Sequence, residues 1–152
     1  MKLWRICRSQ FASAALSGEG ARLFGGRWNS RGVSIVYAST SLALAAVETF
    51  VHLELAQQPN DLVSIEINLP DKLARTKVAE SGMPKNWRSQ DNKRLRKIGD
   101  TWIVEGKTVA LEVPSAVIAG EWNMLLNPVH VDFAKIQIGT QTDFIFDMRM
   151  FR

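Results

Sequence analysis

A strand followed at once by a helix that is apolar on nearly every face sets the frame for this chain. Residues 32–38 read Gly-Val-Ser-Ile-Val-Tyr-Ala, a β-branched run that predicts a strand. Thr40 or Ser41 can cap the next helix, expected from Leu42 to about Gln57 and largely buried. Val63, Ile65, Ile67 and Leu69 then alternate with polar residues until Pro70, the pattern of a half-buried strand. Leu95, Ile98 and Trp102 keep helical spacing and predict a second helix from about Asp91 to Glu105. Val109 to Val113 reads as a short strand, Asn127-Pro128 as a turn, and Val131 to Ile138 with Phe144 to Phe146 as closing strands. The irregular alternation points to an α+β fold, and 152 residues suit one domain spanning positions 1–152.

Composition narrows the function classes. Hydrophobic residues at 46% and charged residues at 22% exclude a disordered, collagenous or coiled-coil chain. Cys7 is the only cysteine, so no intrachain disulfide can form, which fits a reducing compartment. Arg5 and Arg8 interrupt any leader-like apolar run, and the longest apolar stretch, Leu42 to Val47, is too short for a bilayer, which needs ~20 residues. A cytoplasmic protein without membrane contact is expected. Nine of the 19 basic residues stand between Lys72 and Lys97, opposed only by Glu80 and Asp91. Gly82 and Pro84 place an exposed loop in the middle of that stretch. It could track a phosphate backbone, but Trp87 is its one aromatic residue, which argues against base stacking.

Four positions invite chemistry. Gly25-Gly26-Arg27-Trp28-Asn29 pairs a tight turn with a planar guanidinium suited to phosphate or carboxylate. Glu48 sits on the apolar helix between Leu44 and Val51, where a carboxylate needs a partner or a task. A local pairing with His52, four residues on, is the plainer explanation. Tyr37, the single tyrosine, ends the first strand beside the start of that helix. Ser115 follows Pro114 without the glycines of a nucleophile elbow. No spacing of zinc or EF-hand ligands occurs, and no P-loop.

Together these stretches resemble the RES domain. Gly-Gly-Arg-Trp-Asn, the strand ending in Tyr37, and Ser41-Leu-Ala-Leu-Ala-Ala-Val-Glu48 are similar to its first half. Val113-Pro-Ser115-Ala-Val and Glu121-Trp-Asn123-Met-Leu-Leu-Asn127-Pro128-Val-His130 are similar to its second half, and Phe146-Asp147-Met-Arg149 to its end signature. Val131 and Met148 stand where prolines are expected, changes of loop stiffness only.

The resemblance implies a bacterial toxin of a type II toxin–antitoxin pair, with a split, mixed β-core like that of ADP-ribosyltransferases. It implies cleavage of the nicotinamide–ribose bond of NAD+ by glycohydrolysis or phosphorolysis, with transfer of ADP-ribose to a protein as the alternative. NAD+ is then substrate, and no cofactor or metal is implied. The catalytic set maps to Arg27, Tyr37, Glu48 and Ser115, and NAD+ binding to Arg27, Trp28, Tyr37, Ser115 and Asn123. The implied partner is a helix-turn-helix (Xre-like) antitoxin, through which alone nucleic acid is reached. Self-association is left open.

Overall fold

The alternation of residues 63–69 becomes strand β3 (Leu62–Asn68), with Val63, Ile65 and Ile67 buried on one face and Leu69 following them inward. The computed structural model describes residues 1–54, 56, 58–89 and 91–152. The other strands are β1 (Lys2–Arg8), β2 (Val36–Ser39), β4 (Arg75–Lys77), β5 (Ala110–Pro114), β6 (Trp122–Leu126) and β7 (Gln137–Phe144). They form one sheet in the order β4-β5-β6-β2-β1-β3-β7, antiparallel except for β4 beside β5. Three helices join them: α1 (Glu19–Phe24), α2 (Leu42–Phe50) and α3 (Lys93–Glu105). None in the described residues is long and apolar enough to cross a membrane.

The split of the β-core shows in one register pair. β1 meets β2 only through Trp4 opposite Ser39, whereas β1 pairs with β3 over its whole length. The Arg5 guanidinium bridges the seam by donating to the Tyr37 carbonyl at 2.8 Å. Val36, Ala38, Met124 and Leu126 point to one face of the sheet with Leu3, Ile65 and Ile67. The opposite, front face carries two smaller clusters. Trp28, Leu95, Trp102, Leu111, Val113 and Leu125 join α3 to the β5-β6-β2 half. Ile6, Ala45, Leu62 and Phe146 join α2 to the β1-β3 half. β2 therefore runs between the areas that the two helices cover.

Several boundaries differ from expectation for local reasons. The first strand begins at Val36 rather than Gly32, because Gly32 takes φ +93° in a turn where its N–H donates to the Arg22 carbonyl. Helix α2 stops at Phe50, where the chain tightens into turns with Leu53 N–H donating to Phe50. Only Leu44 and Ala45 of α2 are fully buried, and Gln57 lies outside the described residues. Ser41 is the cap, accepting from Leu44 N–H at 3.1 Å, while Thr40 donates to the Trp122 carbonyl. Helix α3 starts at Lys93 behind an Asn92 cap, two residues after the expected Asp91. The segment from Val131 turns through a short 3₁₀ stretch at Phe133–Lys135, and the closing strand is the polar, exposed β7. Phe146 lies beyond that strand, 5.5 Å from Phe50 and 4.9 Å from Phe144, ring edge to ring face. This aromatic group packs against the last turn of α2, the turn that carries Glu48.

Candidate active site

Side chains alternate along a strand, so Tyr37 and Ser39 of β2 share the front face with Asn123 and Leu125 of β6. Register places Ser39 opposite Asn123 and Val113 opposite Asn123 on its other flank, with Ser115 just past the end of β5. Glu48 reaches this group from α2. Its Oε1 accepts from Ser115 Oγ at 2.7 Å and from Asn123 Nδ2 at 2.6 Å. Asn123 Oδ1 in turn accepts from Ser39 Oγ at 2.7 Å. Ser115, 1% exposed, also accepts the backbone N–H groups of Val117 and Ile118. Its hydroxyl thus accepts from two backbone N–H groups and donates to the Glu48 carboxyl group.

These contacts replace the expected Glu48–His52 pairing. The helix ends before His52, which is exposed, and the carboxylate turns to residues 67 and 75 positions away. Among the described residues Glu48 forms no ion pair, and its Oε2 receives no protein donor.

The Gly25-Gly26-Arg27 turn forms the second part. Gly25 ends α1 at φ +70°, and Gly26 N–H donates to the Asn29 carbonyl at 3.0 Å. A Cβ on Gly26 would lie 2.6 Å from the Tyr37 hydroxyl, so the turn fits only glycine. That hydroxyl donates to Asn29 Oδ1 at 2.7 Å and accepts from Trp28 N–H at 3.0 Å. Asn29 is fully buried and its amide donates to the carbonyls of Ala21, Ser30 and Val33. Arg27 Nη1 donates to the carbonyls of Trp87 and Ser89 at 3.0 and 2.9 Å. The guanidinium is thereby tied to the basic loop, beside a groove of about 350 Å³ that Asn86, Ser89, Lys93 and Arg94 help to line.

Tyr37 and Asn123 thus lie on one face of the sheet, Glu48 joins Asn123 and Ser115 there, and the turn that carries Arg27 is held against the Tyr37 hydroxyl. Trp28 is placed differently from the others. At 3% exposure its ring belongs to the α3 cluster, and what it offers the turn is its N–H to Tyr37. Three further residues hold this arrangement. Asn29 was visible only as a turn residue, Ser39 carries no motif, and Gly99 of α3 lies against the Trp28 backbone.

Tyr37 gives a prediction with a clean readout. Burial pushes its phenol above the ordinary value of 10.0, partly offset by the Trp28 N–H that would favour phenolate. A folded-state value above the unfolded one stabilises the fold below about pH 10 and withdraws that stability as pH rises further. Because the chain has one tyrosine, tyrosinate absorbance should stay absent from the native protein at pH 10 and appear with unfolding. Tyr37→Phe strands the Trp28 N–H and should cost about 1–3 kcal/mol, read by denaturant melts.

The comparisons with known proteins agree with this frame. The RES domain profile matches residues 2–147. The chain is 39% identical over 154 residues to "Prs ADP-ribosylating toxin" of Sphingobium sp. (strain YBL2), covering 98% of this chain and 96% of that protein. It is 34% identical over 152 residues to "Toxin Res" of Photorhabdus laumondii subsp. laumondii, covering 99% and 97%. A chain from the crystal structure of the M. tuberculosis MbcT–MbcA toxin–antitoxin complex superposes with a TM-score of 0.69 at 16% identity, over 95% of this chain and 84% of that one. At that identity the likeness establishes the fold.

Proposed function

This chain belongs to the RES-domain toxin family, and on that premise we propose that it breaks the nicotinamide–ribose bond of NAD+ as the toxin of a toxin–antitoxin pair. One observation carries the reading: Glu48 holds one oxygen between Ser115 and Asn123, and among the described residues no protein donor engages the other. Departure of nicotinamide develops oxocarbenium character on the ribose. A fixed carboxylate whose donors are already in place stabilises that charge without reorganising. The free oxygen of Glu48 accepts from a ribose hydroxyl and faces the sugar. Arg27, held by two carbonyls, keeps guanidinium N–H groups for the pyrophosphate or the nicotinamide-ribose side. Tyr37, its hydroxyl already engaged, offers its ring to the nicotinamide. Trp28 supports the turn from below.

The ADP-ribosyl group passes to water or phosphate in this reading. A second reading, transfer to a protein side chain, is favoured by the name of the 39% identical relative. Incubation with NAD+ labelled in the adenosine half, with and without phosphate, separates them. Free ADP-ribose or its phosphate ester supports the first, and a labelled protein band the second. Intact NAD+ in every arm refutes both. Arg27→Ala should lower NAD+ loss at least tenfold, about 1.4 kcal/mol, with the melting temperature little changed because the lost contacts are two partly exposed hydrogen bonds. A wild-type rate would remove Arg27 from the mechanism.

The partner in this proposal is a helix-turn-helix antitoxin whose C-terminal part covers the site, and any nucleic acid is bound through it. The family and the toxin–antitoxin complex among the structural relatives support that assignment. The action lies in the cytoplasm, where the NAD+ pool is.

A further inference from the structure

We propose that Ser39 is a positioning residue for the reaction, acting on Glu48 through the Asn123 amide. The inference rests on the proposed NAD+ cleavage for its kinetic test only.

The direction of each hydrogen bond in this chain is set by its neighbours. Ser115 Oγ already accepts from Val117 N–H at 3.1 Å and Ile118 N–H at 3.0 Å, so its proton is left to point at Glu48 Oε1. A carboxylate only accepts, so Asn123 must turn its Nδ2 toward Glu48 and its Oδ1 away. That outward Oδ1 is 2.7 Å from Ser39 Oγ, which therefore donates. Flipping the amide would set a carbonyl oxygen 2.6 Å from the carboxylate, a repulsive contact. The sequence Ser39 to Asn123 to Glu48 therefore runs one way, with Glu48 Oε1 as its final acceptor.

The location of Ser39 makes this rigid. It is 4% exposed and lies at the last residue of β2, where the sheet's two halves meet through the Trp4 pair. The hydroxyl is thus delivered by the central strand, from the one place where β1, β2 and β6 are side by side. Serine suits the site because it supplies a donor with a single short side-chain torsion. Alanine there removes the donor and leaves the Asn123 carbonyl without a protein partner, so the amide is free to rotate and Glu48 loses one of two restraints.

The test is a double-mutant cycle with a second readout that needs no turnover. Ser39→Ala should lower kcat for NAD+ loss about tenfold, the scale of one buried hydrogen bond, with KM changed by less than about threefold. In an Asn123→Ala background the same change should cost nothing further. Equal losses in both backgrounds, or none in the wild type, overturn the proposal. In parallel, the side-chain NH₂ of Asn123 is followed by ¹⁵N-resolved NMR, assigned through its absence in Asn123→Ala. Its two protons should be widely separated in the wild type and move together in Ser39→Ala. An unchanged NH₂ pair overturns the positioning role even if the wild-type protein consumes no NAD+, an outcome that would separately refute the proposed reaction. A melting temperature near that of the wild type shows that the variants are folded.

Discussion

Glu48→Gln should lower NAD+ loss by about 10²–10³, the scale of removing one pre-positioned electrostatic stabiliser, while the protein melts within about 2–4 °C of the wild type. The two halves of this expectation come from different atoms. Glutamine keeps a carbonyl oxygen that can accept from Ser115 and Asn123, so the structural work of Oε1 survives. It replaces the free Oε2 by a donor, so the negative charge facing the ribose is gone. A structural role for Glu48 predicts the reverse: retained turnover, because both hydrogen bonds are retained. Nicotinamide release, quantified by chromatography, together with a thermal melt, decides between them.

The second large effect is expected at Gly99, and its sign opposes helix propensity. Glycine to alanine inside an exposed helix normally stabilises by up to about 1 kcal/mol. A Cβ on Gly99, however, would stand 1.7 Å from the Trp28 carbonyl oxygen and 2.8 Å from its carbon. Both are backbone atoms, and no side-chain rotation relieves the overlap. Either α3 moves off the sheet or the turn bearing Arg27 and Trp28 is displaced. Gly99→Ala should cost about 1–3 kcal/mol or more, lowering the melting temperature by roughly 2–12 °C, and it should reduce activity through Arg27. Gly20 in α1 has nothing within 4 Å of its notional Cβ and serves as the control. Gly20→Ala should be neutral or slightly stabilising. A Gly99→Ala protein as stable as the wild type would show that α3 does not need this close approach.

How much of this was legible in the sequence follows from how locally each feature is encoded. β3 and α3 were readable because their apolar positions repeat at the strand and helix periods and face one core each. β1 was hidden by Arg5 and Arg8, whose charges look like surface but serve the Tyr37 carbonyl and Asp61. β7 was misplaced because it is an edge strand exposed along nearly its whole length, so no alternation marks it. Glu48 stood out as a carboxylate among apolar neighbours, which is a local signal. Its partners did not, because Ser115 and Asn123 reach it only through the pairing of β5, β6 and β2. The resemblance to the RES domain named those two positions and quoted Asn29 in its first motif without a task, while Ser39 and Gly99 act through a hydroxyl and a missing side chain that no motif requires.

The central claim is that NAD+ lies across the front face with its nicotinamide ribose at Glu48 and Arg27 on the same ligand. A crystal structure of Glu48→Gln soaked with NAD+ tests it most directly. The account predicts the ribose hydroxyls within hydrogen-bond distance of the side chain at position 48 and the Arg27 guanidinium on the dinucleotide. NAD+ bound to another face, or contacting one of these two positions and not the other, would contradict it.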